Sequence, residues 1–472
     1  MMRVPAPRHL VMALVVCAAL AFLSFPPTGM EGELSVAAAL VLFIIGLFAT
    51  GVLAEQLAAL AFFFLAMVLA VAPPTVVFSG FTSGAFWLVF SGLVIGAAIE
   101  KTGLGSRIAA AVIDRISGGY GSVIAAVVLV NMALIFVMPS TLTRVIMLLP
   151  VVTAVAERLG FGQGSRQRNG MVMAAVLSAY LCSTSVLPAN VPNNVLLGAA
   201  ETFQGLEIRY FDYLLLHFPV LGLLKGAVVW SCIVWLFGPS PRIGSSISSG
   251  SADKTSPAKL TGGERRLCAM LSLALLLWLT DSVHGIGPAW VSLGAGLVCL
   301  LPFFGTLSAA EFREKVQVGP LLYVGSIIGI GAVVSESGLG SHFSRALLDA
   351  RTLSPDTPLA SFMILSNLAM ALGVFSTMPG VPAILVPIAI DMQAVSGLSL
   401  EAVIMTQVIG FSTVWFPYQV PPIVLGMQLG AVPLAAGLRA TLATAVVGLL
   451  VVLPCNTLWW WSLGYLPDGV IW

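Results

Sequence analysis

The chain has 472 residues, of which 58% are hydrophobic and only 9% charged, and its formal net charge is +1. A soluble domain carries roughly 25% charged residues, so this chain cannot cover a water-facing surface and most of it must be solvated by lipid. The near-neutral balance argues against nucleic acid or an acidic partner. The six cysteines (17, 182, 232, 268, 299 and 455) lie in apolar runs without paired or metal-ligand spacing, which points to packing and no metal site.

A helix needs about 20 apolar residues to cross a bilayer. The first such run, Leu10 to Phe25, follows Arg3 and Arg8. No clear small-residue cleavage site follows it, so residues 1–30 read as a retained extra transmembrane helix rather than a signal peptide. Further runs cover 35–52, 54–72, 85–100, 171–203, 213–238, 266–283, 288–304, 318–336, 400–430 and 433–463. The expectation is an all-α polytopic membrane protein of about 11 transmembrane helices. Two more apolar stretches, 121–157 and 358–396, are each interrupted by a polar cluster, "MPSTLT" at 138–143 and "FSTMPG" at 375–380. Each reads as a re-entrant hairpin of two half-helices. Irregular backbone at membrane depth is tolerated only where it is buried in protein or lines a cavity.

Residues 239–265 are Ser/Gly/Pro-rich and read as a flexible cytoplasmic linker. They separate a first repeat, 31–238, from a second, 266–472. "IEKTGLGSRIAAAVID" (99–114) aligns with "SESGLGSHFSRALLD" (335–349), placing Gly103 on Gly338, Gly105 on Gly340 and Asp114 on Asp349. Each half then carries its hairpin and a proline-broken span, "LPANVPNNVLLG" (187–198) and "FPYQVPPIVLG" (416–426). With the N-terminus cytoplasmic and the C-terminus outside, most basic residues, from Arg3 and Lys101 to Arg265, Lys315 and Arg439, lie on the cytoplasmic side. Only Arg209, Arg345 and Arg351 fall outside, as the positive-inside rule requires. The hairpins then open to opposite sides, making the repeats inverted. That is the plan of many secondary transporters, with the site at the midplane between repeats.

The breaks supply the candidate residues. Ser140, Thr141 and Thr143 surround the first; Ser376 and Thr377 the second, with Pro379 at an early helical position and Gly380 permitting close approach. Asn190, Pro192 and Asn193 open the half-helix at 193–203, matched by Tyr418, Gln419, Pro421 and Pro422 in the second half. Each polar group can cap a half-helix or repair freed backbone as readily as meet a ligand; four breaks related by symmetry favour a binding site. Arg144 follows the first break, and a guanidinium in lipid is expensive. It is expected to face the polar cavity and grip a carboxylate or sulfate beside a helix N-terminus. The alternative is pairing with a backbone carbonyl or acidic residue. Lys225 in the sixth span and Glu336 near a span end could act as relays, but read more readily as side chains snorkelling to an interface. The chain has no H-E-x-x-H, P-loop or G-x-S-x-G, which argues against a protease, an ATP-driven pump or a lipid hydrolase.

These residues resemble the divalent anion:sodium symporter family of the ion transporter superfamily, over nearly the whole chain and up to the Trp-rich "NTLWWWSLG" at 456–464. The resemblance implies a non-enzymatic carrier of small divalent anions (dicarboxylate, citrate, sulfate or sulfonate), working by alternating access as a homodimer, and the short loops and absent signal cleavage fit a bacterial inner membrane. Its only cofactor would be Na+ as coupling ion. Members carry Ser-Asn-Thr at each hairpin tip; here the tips read Ser140-Thr141-Leu142 and Thr377-Met378-Pro379, and Thr/Ser-Pro-Pro-Asn becomes Asn190-Val191-Pro192-Asn193. The candidate substrate residues are Ser140, Thr141, Thr143, Arg144, Asn190, Asn193, Ser376, Thr377 and Gly380, and a cation site would draw on Ser140, Thr141, Asn190 and Thr377. The resemblance implies that the family's substrate-touching tip asparagines are replaced here by Thr141 and Met378, and that Arg144 lies near the family's first sodium site. Met378 and Pro379 offer no side-chain oxygen, which puts sodium coupling in question. The hypothesis is that Arg144 replaces a sodium ion, giving a sodium-independent exchanger, uniporter or proton-coupled carrier. Competing readings are the large membrane subunit of a tripartite periplasmic uptake system, a Na+/H+ antiporter, for which no intramembrane Asp pair is found, and a membrane enzyme or scaffold.

Overall fold

The computed structural model describes residues 7–27, 29–113, 119–238, 260–302, 304–340, 342 and 353–466. Asp114 and Asp349, most of the linker, and Arg3, Arg115, Arg242, Lys254, Lys259, Arg345 and Arg351 lie outside that set.

Helices run in order as α1 (Pro7–Ser24), α2 (Glu33–Thr50), α3 (Glu55–Val68), α4 (Gly84–Thr102), α5 (Tyr120–Leu134), α6 (Thr141–Arg158), α7 (Arg166–Leu181), α8 (Val191–Gln204) and α9 (Tyr210–Phe237). The second half continues as α10 (Gly262–Leu279), α11 (Pro288–Leu300), α12 (Gly319–Glu336), α13 (Pro358–Phe375), α14 (Gly380–Leu385), α15 (Ala389–Ser396), α16 (Leu400–Phe411), α17 (Pro421–Leu429) and α18 (Leu434–Ser462). Among the described residues there is no strand, and six helices (α2, α4, α9, α12, α13 and α18) are long and apolar enough to cross a bilayer alone. Other apolar segments are shorter or broken, and α15 meets α16 at a bend of 109°.

The order of elements is the same in each half: a long glycine-rich helix (α4, α12), a hairpin (α5–α6, α13–α15), a broken span (α7–α8, α16–α17) and a long helix with a π-helical turn (α9 at 218–224, α18 at 448–452). The aligned glycines share their roles. Gly103 and Gly338 both take left-handed backbone, with φ +71° and +77°, a conformation that costs other residues a steric clash. Gly105 packs against Met147 of α6, and Gly340 against Ile388 between α14 and α15 of the second hairpin.

Lipid tails are as apolar as leucine, so helices inside a membrane associate through close packing rather than hydrophobic expulsion. Small residues mark these contacts. A Cβ on Gly410 of α16 would lie 2.2 Å from the Ala369 Cβ and 2.8 Å from its carbonyl carbon, so α13 and α16 touch almost backbone to backbone. One on Gly331 of α12 would lie 2.9 Å from the Ala383 carbonyl oxygen of α14. The buried side chains form two clusters, a smaller one of α2, α3, α12 and one face of α4, and a larger one around the hairpins, broken spans, α9 and α18. Within the larger cluster each hairpin packs on the other half's broken span, α6 against α17 and α14 against α8. The Gln204 amide at the end of α8 also donates to the Val386 carbonyl (2.8 Å).

Candidate functional site

At the first break Ser140 is the N-cap of α6. Its hydroxyl accepts from the Thr143 backbone N–H (3.3 Å) and the Thr143 hydroxyl (2.9 Å), satisfying a donor that the helix start leaves free. Ser140 and Thr143 stay half-buried, whereas Thr141 and Arg144 are buried, Arg144 completely. The tip sits against α4, with Pro139 beside Gly92 and Thr143 beside Gly96.

The contacts of Arg144 are those of the carbonyl-pairing alternative. Nη1 donates to the Met138 carbonyl, and Nη2 to the Thr141 hydroxyl (3.1 Å), the Ala179 carbonyl (2.9 Å) and the Ala189 carbonyl (3.0 Å). One guanidinium thus joins the hairpin tip, the end of α7 and the loop of the first broken span. No carboxylate is among these partners, so the charge is balanced only by oxygen dipoles.

The first broken span leaves the α-helix over 182–190 for two 3-10 turns, Cys182–Ser185 and Leu187–Ala189. Asn190 caps α8 by accepting from the Asn193 N–H (3.0 Å), and its amide donates to the Ser183 hydroxyl (3.2 Å). The Asn193 amide donates to three loop carbonyls, Ser183 (3.3 Å), Thr184 (3.3 Å) and Val186 (2.8 Å). The Ser183 hydroxyl lies 3.5 Å from the Thr141 hydroxyl, so Thr141, Arg144, Asn190 and Asn193 form one connected cluster. Ser140 and Thr143 are a separate pair at the same helix start. Ser183 was missed from the sequence, although the run Cys182-Ser183-Thr184-Ser185 ahead of the prolines was its signal.

The second break is built differently. Of the roles open to Ser376 and Thr377, capping the returning half-helix is not the one taken: α14 starts at Gly380 behind Pro379 with no side-chain cap. The Ser376 hydroxyl donates to the Leu372 carbonyl of the preceding turn (3.2 Å) and to the carbonyl of the next residue, Thr377 (3.0 Å). Thr377 instead meets the Tyr323 hydroxyl of α12 (3.0 Å). Gly380 packs on Ser376, and Met378 is fully buried with its N–H on the Gln419 carbonyl (3.3 Å). The buried Gln419 side chain stitches the second broken span together, accepting from the Trp415 and Phe416 N–H groups (both 2.7 Å) and donating to the Gly373 carbonyl (2.5 Å).

The two clusters are linked through the Tyr180 hydroxyl at the end of α7, which donates to the Phe411 carbonyl at the end of α16 (2.9 Å). Lys225 overturns its own expectation. It does not snorkel but is buried in α9, donating to the carbonyl and hydroxyl (2.8 Å) of Ser412. A residue far along the chain supplies those acceptors, so no local reading could have placed it. Glu336 is exposed at the end of α12. Away from the breaks, an open cleft of about 480 Å³ lies between Arg166, Phe237 and Arg439 at the far end of α9.

The family described as "Sodium:sulfate symporter transmembrane region" matches residues 7–466. A membrane protein of Cupriavidus necator is 22% identical over 345 residues, covering 73% of this chain and 67% of that protein. Inner membrane protein YbhI of Escherichia coli is 24% identical over 405 residues, 82% of each chain. The L-tartrate/succinate antiporter of Escherichia coli is 24% identical over 287 residues, 59% of this chain and 58% of its own length. The crystal structure of the Alcanivorax borkumensis YdaH transporter is similar with a TM-score of 0.54 at 16% identity, over 98% of this chain and 99% of that one, a likeness of fold.

Proposed function

The chain belongs to the sodium:sulfate symporter family of membrane anion transporters, and from that premise we propose that it exchanges small divalent anions across the inner membrane without sodium. The observation that carries this reading is the Arg144 guanidinium, seated among the Met138, Ala179 and Ala189 carbonyls and the Thr141 hydroxyl. Carbonyls and hydroxyls are the ligands a hard cation takes. A positive charge covalently fixed there serves the purpose of a bound ion and cannot be released. At the second tip stand the Met378 thioether and the Gln419 amide, whose oxygen already accepts two backbone N–H bonds, which supports the absence of a second sodium site.

Substrate is held, on this reading, by the half-exposed Ser140 and Thr143 hydroxyls at the start of α6, with Asn190 and Asn193 shaping the loop behind them and Ser376, Thr377 and Gly380 forming the other wall. Arg144 acts from beneath through its charge, which is screened little at that depth. The dicarboxylate class is favoured by the L-tartrate/succinate antiporter among the relatives. We take the two halves as inverted repeats and the protein as a homodimer with a cytoplasmic N-terminus. The ion pairs Lys101–Glu311 (2.7 Å), Lys315–Glu100 (2.5 Å) and Arg107–Glu264 (2.8 Å) support one common side for these basic residues, which we take as cytoplasmic by the positive-inside rule.

The test is counterflow of labelled succinate, tartrate and sulfate in proteoliposomes preloaded with unlabelled anion, in sodium and in choline. Counterflow equal in both salts and dependent on internal anion is expected. Uptake that requires sodium sinks the proposal.

A further inference from the structure

Lys225 stands in the middle of α9, directly after the π-helical turn at 218–224, and is 4% exposed. Its ammonium rests on the hydroxyl and carbonyl of Ser412, where α16 ends and the second broken span begins. Unpaired carbonyls and the negative end of the helix dipole make that end a seat for a cation. The π-helical turn of α18, 448–452, packs against that of α9 at the same level. Such turns are rare and concentrate at functional sites.

Between these elements lies a small cavity of about 10 Å³, lined among others by Lys225, Ser412, Thr413 and Asn456. That volume holds about one water molecule. Asn456 is fully buried on its wall, and neither its amide oxygen nor its amide nitrogen has a protein partner. A buried amide without partners is costly, so the pair of Lys225 and Asn456 marks a place built for a small polar guest.

The other titratable groups on the surrounding elements do not compete for this role. Cys182 of the first broken span is nearest, its sulfur 3.6 Å from where a Cβ on Gly226 would be. Tyr180 is committed to the Phe411 carbonyl, and His217 meets Tyr213 edge to face and lies tilted against Trp460. Tyr120 donates to the Gln167 carbonyl, and Arg166 and Arg439 line the cleft near Phe237. Arg168 pairs with Glu157. No carboxylate bonds Lys225 among the described residues.

Two buried cations therefore serve the two broken spans, Arg144 the first and Lys225 the second. They differ in chemistry: a guanidinium keeps its proton, whereas a lysine in a dry site can act as a base. We infer that Lys225 is the proton-carrying group of this transporter, exchanging its proton through the Asn456 cavity. In the step, one N–H bond of the ammonium breaks and its electron pair stays on nitrogen. The proton forms an O–H bond to a water in the cavity and leaves through solvent. The neutral amine then holds the Ser412 carbonyl less tightly and frees the break at the end of α16. This deepens the anion-exchange reading and rests on it.

The experiment follows labelled sulfate counterflow in proteoliposomes whose internal and external buffer are set to the same pH, from mildly acidic to mildly alkaline. Sulfate keeps its charge over that range, so a pH effect on it belongs to the protein. Because one-for-one exchange carries protons equally in both directions, the readout is the rate and not a net pH change. Wild-type counterflow is expected to change several-fold across the range. Lys225→Arg, which keeps its proton, is expected to slow counterflow several-fold and to lose the pH dependence. Should that variant not fold, Asn456→Leu is expected to flatten the pH dependence. Wild-type counterflow that does not change with pH, or a wild-type pH dependence in Lys225→Arg, overturns the proton role and leaves anion exchange standing. Absence of counterflow with every anion overturns both.

Discussion

Replacing Arg144 by threonine removes the guanidinium and leaves its cage of Met138, Ala179 and Ala189 carbonyls beside the Thr141 hydroxyl. Each buried carbonyl that loses its donor costs about 1–3 kcal/mol, and three of them sum to about 5 kcal/mol. The variant no longer buries a cation without a carboxylate, a relief of about 3 kcal/mol at the lower end of desolvation penalties. The net is a destabilisation of about 2 kcal/mol. The vacated oxygens suit Na+, and an ion at about 100 times its dissociation constant restores about 2.7 kcal/mol. The assay is thermal unfolding of the purified protein in sodium chloride and in choline chloride at equal ionic strength, with anion counterflow measured in parallel. Wild-type protein should melt alike in both salts. Arg144→Thr should melt lower in choline, show no counterflow there, and recover in sodium. A wild-type protein stabilised by sodium, or a variant with full counterflow in choline, refutes the idea that the arginine does the work of a cation.

Three further outcomes are expected. Asn193→Asp keeps the shape of the side chain but turns an acceptor toward the Ser183, Thr184 and Val186 carbonyls; it should lose more stability than Asn193→Ala, whose cost is about 2 kcal/mol, and equal melting temperatures would contradict the contact set. Gly410→Ala forces α16 away from the Ala369 backbone; overpacking of this kind costs about 1–3 kcal/mol, read as a lower melting temperature and less monodisperse protein, while Gly448→Ala, in open space, should be close to neutral. The hydrogen bond from Lys101 holds the Glu311 carboxyl down from its ordinary 4.5 to about 2. A depressed carboxylate stabilises above its unfolded value and loses that contribution as pH falls through the folded one. The melting difference between wild type and Glu311→Gln should therefore be constant above pH 4.5 and disappear towards pH 2, and a difference that grows on acidification would reverse the assignment.

Much of the secondary structure could be read along the chain because it is set by neighbours. Long apolar runs become helices, since lipid leaves no other way to satisfy the backbone. The clusters at 138–143 and 375–380 interrupt helices where proline removes a donor and serine or threonine offers one. Ser140 and Asn190 cap the half-helices they precede, as residues of that kind do. Ser376 escaped the same logic, because its own preceding turn competed for the hydroxyl.

What the local sequence could not carry was the partner of each buried charge. Apolar spacing and the breaks determined that this is a helical membrane protein with two similarly ordered halves, and that Arg144 lies beside a break. Only the tertiary structure decided that its guanidinium is shared among a hairpin tip, the end of α7 and the loop before α8, which are joined by folding and not by sequence. Lys225 shows the same division more sharply. A lysine in an apolar run looks like one reaching for the interface, yet it stays inside because Ser412, supplied by the other half of the chain, ends a helix beside it. A charge in a membrane takes the nearest oxygen in space, and that distance is set by packing.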